Sequence, residues 1–148
     1  MKISDILTAN DVIVINNAAS KRQLLKRNEH KIAEGTGIDD RSMFDIILER
    51  ENLGSTAFGG GTAVPHGRIP ELKQLKGLFA KLQKGIDFEA DDNQPVDLVF
   101  MLVSPENSGA DHLSALAQIS KIIKDEEICG QLRNAGSTEE IYRILTQN

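Results

Sequence analysis

Cysteine is almost missing from this chain of 148 residues: Cys129 is the only one. That excludes an internal disulfide framework and any Cys-rich zinc site, and it fits a reducing compartment. Long apolar stretches are missing too. The longest run, Leu98 to Val103, falls far short of the ~18–20 residues a membrane-spanning helix needs. The first residues, MKISDILTANDVIVINNAASK, carry no apolar core and no cleavage pattern of an export signal, so the expected location is the cytoplasm. Basic residues are in the minority. Lys and Arg number 17 against 22 Asp and Glu, a net charge of −5, which argues against a dedicated nucleic-acid binder, because phosphate affinity needs clustered cations. No repeat, low-complexity tract or long polar linker divides the sequence. Hydrophobic residues make up 40% and charged residues 26%, as in folded globular proteins. One domain of this size buries roughly 68–70% of its unfolded surface, enough for a real core.

Val12–Ile15 is a short β-branched run and reads as a strand. Ser20 has the character of an N-cap for a helix over Lys21–Glu34, with Leu24, Leu25 and Ile32 on one face and Gly35 and Gly37 ending it. Asp40 is expected to cap a second helix through Arg50, with Met43, Phe44, Ile47 and Leu48 inward. Gly54–Gly67 holds five glycines and Pro65, and reads as a loop with at most a short strand at Thr62–Pro65. Leu75–Leu82 reads as a strand and Val96–Val103 as a strand buried on both faces. Helices follow over Gly109–Lys124 and Asp125–Asn134, and Ser137 with Glu140 forms a capping box for the last one. Strands interspersed with helices make the chain α/β, with part of its sheet parallel.

Several chemistries are excluded by pattern. GxxxxGK[ST], GxGxxG, HExxH, paired-His ligand spacing and the GxSxG elbow are all missing, and Cys129 sits in an apolar context as a core residue. Three histidines remain. His30, among Arg27, Asn28, Glu29 and Lys31, reads as a solvated surface residue. His66 lies in Gly59-Gly60-Gly61-Thr62-Ala63-Val64-Pro65-His66-Gly67-Arg68. Pro65 fixes its own φ and pushes Val64 toward extended geometry, and Gly67 removes bulk beside the imidazole. Two readings stay open: a turn histidine with no role, or a ring nitrogen presented rigidly at the surface. His112 falls in the first turn of a helix that Ser108 is expected to cap, on a face with Leu116, Ile119 and Ile123. It is either a semi-buried core histidine or a group that orients an anion. Arg50 ends its helix either as a cation favourable to the helix dipole, paired with Glu51, or as a clamp on a phosphoryl group. Phe58 and Val64 are either core residues or an apolar patch for docking around His66, and Arg68 is placed to steer an acidic partner. A histidine in a rigid glycine-rich loop, with a second His and an Arg, suits transient phosphorylation.

The order of these motifs resembles a known family. Arg50-Glu51-Asn52-Leu53-Gly54-Ser55-Thr56, Gly61-Thr62-Ala63-Val64-Pro65-His66-Gly67-Arg68, Ile86-Asp87-Phe88, Gln94-Pro95-Val96-Asp97-Leu98-Val99-Phe100 and His112-Leu113-Ser114-Ala115-Leu116-Ala117 are similar to the fructose/mannitol-type enzyme IIA domains of the bacterial phosphotransferase system, and most of all to their nitrogen-regulatory branch. Ala57-Phe58 with the triple glycine, and the polar stretch Arg27–Lys31, depart from the family pattern. The resemblance covers residues 1–148 as one domain and implies a mixed, mostly parallel sheet flanked by helices. It implies that an HPr-like phosphocarrier passes a phosphoryl group to the tele nitrogen of His66, supported by His112 and Arg50, with Ser55 and Thr56 as further phosphate-binding candidates. No metal, ATP or other cofactor is implied, because the donor is already a phosphohistidine. The nitrogen-regulatory branch implies phosphorylation-dependent binding to regulatory targets such as potassium transporters and sensor kinases. The alternative is a sugar-specific enzyme IIA that passes the group to a separate IIB component.

Overall fold

The computed structural model describes every residue, Met1–Asn148. Its centre is β6, Val96–Pro105, whose side chains are buried on both faces of the sheet. The alternation of the pleat sorts them. Val99, Met101 and Val103 join one apolar core, and Leu98, Phe100 and Leu102 join the other. The first core is closed by α1, Lys21–Glu34, and α2, Asp40–Asn52. The second is closed by α3, Gly109–Ile123, α4, Glu126–Asn134, and α5, Thr138–Gln147, with two short 3-10 turns at Ile3–Asp5 and Ala9–Asp11. The result is a three-layer α/β/α domain.

The sheet has six strands. β1, Val12–Ile15, pairs in parallel with β5, Lys76–Ile86, which runs antiparallel to β6. On the other side of β6 lie β3, Thr62–Ala63, and β4, His66–Ile69, both parallel to it, and β2, Ala57–Gly59, closes the edge against β3. Three of these five pairings are parallel, the mixed, mostly parallel sheet expected.

β1 and α1 have the expected bounds, and Ser20 caps α1 by accepting the Gln23 N–H. Three expectations change. The cap of α2 is Asp39, whose carboxylate takes the Ser42 N–H, while Asp40 is already helical. Ser108 is itself in helical geometry and spends its hydroxyl on the Pro105 carbonyl, so it caps nothing with its side chain. At α5, Ser137 accepts from Glu140 as expected, but Glu140 reaches back to the Gly136 N–H rather than to Ser137.

The glycine-rich stretch is not a plain loop. Gly59, Gly60 and Gly61 all have positive φ, at 93°, 65° and 83°, which lets a hairpin turn between β2 and β3. Arg133 grips this tip with bonds to Asp97 and to the Gly60 carbonyl. β3 and β4 then continue one line. Thr62 lies opposite Leu98 and His66 opposite Leu102, the same offset of 36 positions on both sides of Val64-Pro65. They are one strand interrupted at Pro65, which has no N–H to give a ladder.

Candidate functional site

The interruption at Val64-Pro65 sets the chemistry of His66. The Pro65 carbonyl still accepts from Leu102, but the Val64 carbonyl turns to the His66 ring, 2.9 Å from Nδ1. A carbonyl oxygen only accepts, so Nδ1 carries the hydrogen and Nε2 keeps its lone pair. Behind the ring, Gly67 lets α2 approach closely: a Cβ there would lie 3.2 Å from Ile46 and 3.5 Å from Ile47. His66 is half-buried, held from behind and open in front.

Strand parity decides what else faces the same layer. His66 and Arg68 point away from α2, toward α3, as do Leu102 and Ser104 on β6. His112, one turn into α3, meets them. Its ring centroid is 5.8 Å from that of His66, at an interplanar angle of 57°. His112 is only 5% exposed, and Nδ1 lies 2.6 Å from the hydroxyl of the fully buried Ser104. Burial pushes its pKa down to about 4, with the positive charge of Arg68 adding to the effect, so the ring is neutral at neutral pH.

Arg50 enters from the other layer, at the C-terminal end of α2, one turn beyond the isoleucines behind Gly67. Its guanidinium donates to the Gly54 carbonyl at 3.0 Å, and neither imidazole is among its hydrogen-bond partners. The turn after Arg50 is pinned from within. Glu51 does not pair with Arg50. It is buried, meets Lys21 at 2.8 Å, and accepts both the N–H and the hydroxyl of Thr56. The Ser55 hydroxyl donates to the Phe88 carbonyl at 2.7 Å. The hydroxyls of Ser55 and Thr56 are therefore spent inside the fold, and the Ser55 main-chain N–H is left without a partner.

Of the two candidates for a docking patch, Val64 belongs to the second core and Phe58 is exposed under Lys124, whose ammonium lies 5.4 Å from its ring centroid. Sequence reasoning missed the two most exposed large apolar side chains. Leu53, 82% exposed, follows the Arg50 turn, and Leu113, 65% exposed, follows His112. It also missed Ser104, although a serine directly after the apolar run Leu98–Val103 is a visible irregularity. His30 is on the surface, between Glu34 and Asp40, and Cys129 is buried, both as expected. No group of three or more His, Cys, Asp or Glu side chains is arranged to hold a metal ion, and no helix is long and apolar enough to cross a membrane.

A half-buried imidazole at a strand break, faced by a second, neutral imidazole, can take up and hold a phosphoryl group. Residues 5–148 match the family model described as the phosphoenolpyruvate-dependent sugar phosphotransferase system, EIIA 2. The chain belongs to this family. It is 45% identical over 145 residues to a nitrogen regulatory protein of Bradyrhizobium diazoefficiens, covering 98% of this chain and 95% of that one. It is 40% identical over 128 residues to the nitrogen regulatory protein of Escherichia coli, covering 86% and 78%. The crystal structure of nitrogen regulatory protein IIA-Ntr from Neisseria meningitidis superposes with a TM-score of 0.92 at 32% identity, over 97% of this chain and 99% of that one.

Proposed function

We propose that the chain is a phosphohistidine carrier and regulator of the nitrogen-related phosphotransferase system, with His66 as the residue that carries the phosphoryl group. One observation supports this most: the Val64 carbonyl holds the Nδ1 hydrogen and leaves Nε2, the tele nitrogen, free to attack phosphorus. The donor is an HPr-like phosphocarrier. In the transfer, the Nε2 lone pair forms the new N–P bond while the donor's N–P bond breaks and its electron pair returns to the donor imidazole. Phosphoryl transfer asks little covalent work of a protein, so positioning and charge stabilisation dominate. Those are the roles of His112, of Arg50 and of the unspent Ser55 N–H, whose turn is already fixed by Glu51.

Leu113 and Leu53 supply exposed apolar surface next to His112 and Arg50, as a docking face for another protein's phosphohistidine requires. Phosphorylation adds a charge of about −1.5 to −2 to this face, by analogy with phosphoserine. A change of that size discriminates between partners, and the expected targets are regulatory proteins such as potassium transporters and sensor kinases. The similarity to nitrogen regulatory proteins along nearly the whole chain favours this role over that of a sugar-specific enzyme IIA.

The test is incubation with a phosphorylated HPr-like donor, followed by mass spectrometry under non-acidic conditions to locate the phosphate. His66→Ala should take up none while melting as the wild type does. Wild-type uptake by that variant would overturn the assignment.

A further inference from the structure

We propose that Ser104 is a positioning residue for this reaction: its hydroxyl donates to His112 Nδ1, fixes the ring as the Nε2–H tautomer, and so makes Nε2–H a donor for the phosphoryl group on His66. The inference rests on the carrier reading above.

Ser104 is fully buried near the end of β6, opposite Arg68. Its Oγ has one hydrogen-bond partner, His112 Nδ1 at 2.6 Å. A serine hydroxyl always has a hydrogen to place, and buried polar groups are paired. If Nδ1 held the ring's hydrogen, it would point at Oγ, and the hydroxyl hydrogen would have no acceptor. If Nδ1 is bare, one bond satisfies both groups. Neutrality of the ring makes that choice available, because a neutral imidazole has a single hydrogen to assign. With Nδ1 accepting, it sits on Nε2.

The consequence reaches the neighbouring ring. His66 has its hydrogen on Nδ1 and its lone pair on Nε2, and His112 has the reverse. One nucleophile and one donor thus come from two chemically identical side chains 5.8 Å apart, set in opposite tautomers by two different acceptor–donor partners. A His112 with a bare Nε2 would turn a lone pair toward anionic phosphoryl oxygens. As the Nε2–H tautomer it donates to one of them and keeps its hydrogen throughout, so the transfer consumes nothing further. The surrounding stretch, VDLVFMLVSP, gives no packing reason for a hydroxyl at position 104, which lies on the same face as Phe100 and Leu102.

The experiment uses the full chain labelled with ¹⁵N. Long-range ¹H–¹⁵N spectra of the imidazoles report which nitrogen of each ring carries hydrogen, and His112→Gln assigns the signals. The wild type should show a bare Nδ1 and a protonated Nε2 at His112 between pH 6 and 8. Ser104→Ala and Ser104→Val should lose that preference and slow phosphate uptake from the phosphorylated donor roughly fivefold, the factor one net hydrogen bond is worth in an equilibrium. Ser104→Thr, which keeps the hydroxyl, should restore both. A hydrogen on Nδ1 of wild-type His112 would overturn the proposal. So would a lowered melting temperature in Ser104→Ala with tautomer and uptake unmoved, which is what a merely structural serine predicts. The spectrum decides the tautomer whether or not the wild type takes up phosphate, so failure of the carrier reading and failure of the Ser104 role are read separately.

Discussion

Both faces of the sheet bury polar side chains, and they treat them differently. On the α3 face the inward nitrogens are paired, His66 with the Val64 carbonyl and His112 with Ser104. On the opposite face Asn28 of α1 is fully buried, and neither its amide oxygen nor its amide nitrogen has a partner. Beside it, no other donor serves Glu29 Oε2 or Asp40 Oδ1. A proton shared between the two carboxyls resolves that pair. Burial and the hydrogen bond to Asp40 push Glu29 up to about 8, and the same bond holds Asp40 down to about 2. Each ring has its Nδ1 paired where ring orientation decides the chemistry. Within the α1–α2 layer, Asn28 lies away from the site and its lack of partners is a tolerated polar cost.

Substitutions on the two faces should act differently. The largest effect belongs to the site. Arg50→Ala should slow phosphoryl uptake by ~10²–10³, the usual loss for one preorganised electrostatic contact, with little change in melting temperature. Equal rates in stopped-flow transfer assays would leave Arg50 only its bond to Gly54. In the other layer the sign reverses, and a substitution should help. Asn28→Leu replaces an unpaired buried amide by an apolar group of similar size and should stabilise by about 1–3 kcal/mol. Calorimetry would show that as a rise of about 2–4 °C for each kcal/mol.

The pH response separates the layers further. Glu29 has a folded pKa raised from 4.5 to about 8, so its contribution is complete below about pH 4.5 and is lost as pH rises to about 8. Glu29→Gln should remove that loss, and its melting temperature should gain on the wild type as pH climbs through this window. His112 works the other way. Its folded pKa is lowered from 6.5 to about 4, so its contribution is present above about pH 6.5 and is lost as pH falls to about 4. Parallel melting curves for Glu29→Gln and wild type from pH 5 to 8.5 would refute the shared proton. The smallest effect is kinetic. Arg68 is exposed on the site's face, so Arg68→Glu should slow transfer a few-fold, more at low salt than at high salt, because screening shortens the reach of the charge. A salt-independent loss would place Arg68 at the phosphoryl group itself.

How much of this was legible beforehand follows the range of the interactions. α1 was readable to the residue because Ser20 and Gly35 punctuate it locally. The pairing of Glu51 with Lys21 and Thr56, rather than with Arg50, was not, because Lys21 lies 30 positions away on another helix. In the glycine-rich stretch only the short strand at Thr62–Pro65 was legible; β2, the hairpin turn and β4 were hidden by composition. β3 is two residues long, and it exists because β6, 36 positions on, supplies its ladder. His66, His112 and Arg50 were visible as residue types in a family order. The tele nitrogen of His66 came with the family resemblance, but the tautomer of His112 was not visible, because it depends on a partner that only the folded chain brings to the ring. Ser104 lies eight positions before His112 on a different element, a spacing that no helix or strand period marks.

The constant offset across Val64-Pro65 also says which changes this lineage can accept. Substitution between Ala63 and His66 leaves the side chains on their faces. Insertion or deletion of one residue shifts everything after it by one pleat, turning His66 and Arg68 toward α2 and Gly67 toward α3. His66 would then be sealed in the α1–α2 core. Evolution can therefore vary the letters of this segment but not its length by one, and any surviving change of length must come in even steps or be matched on β6.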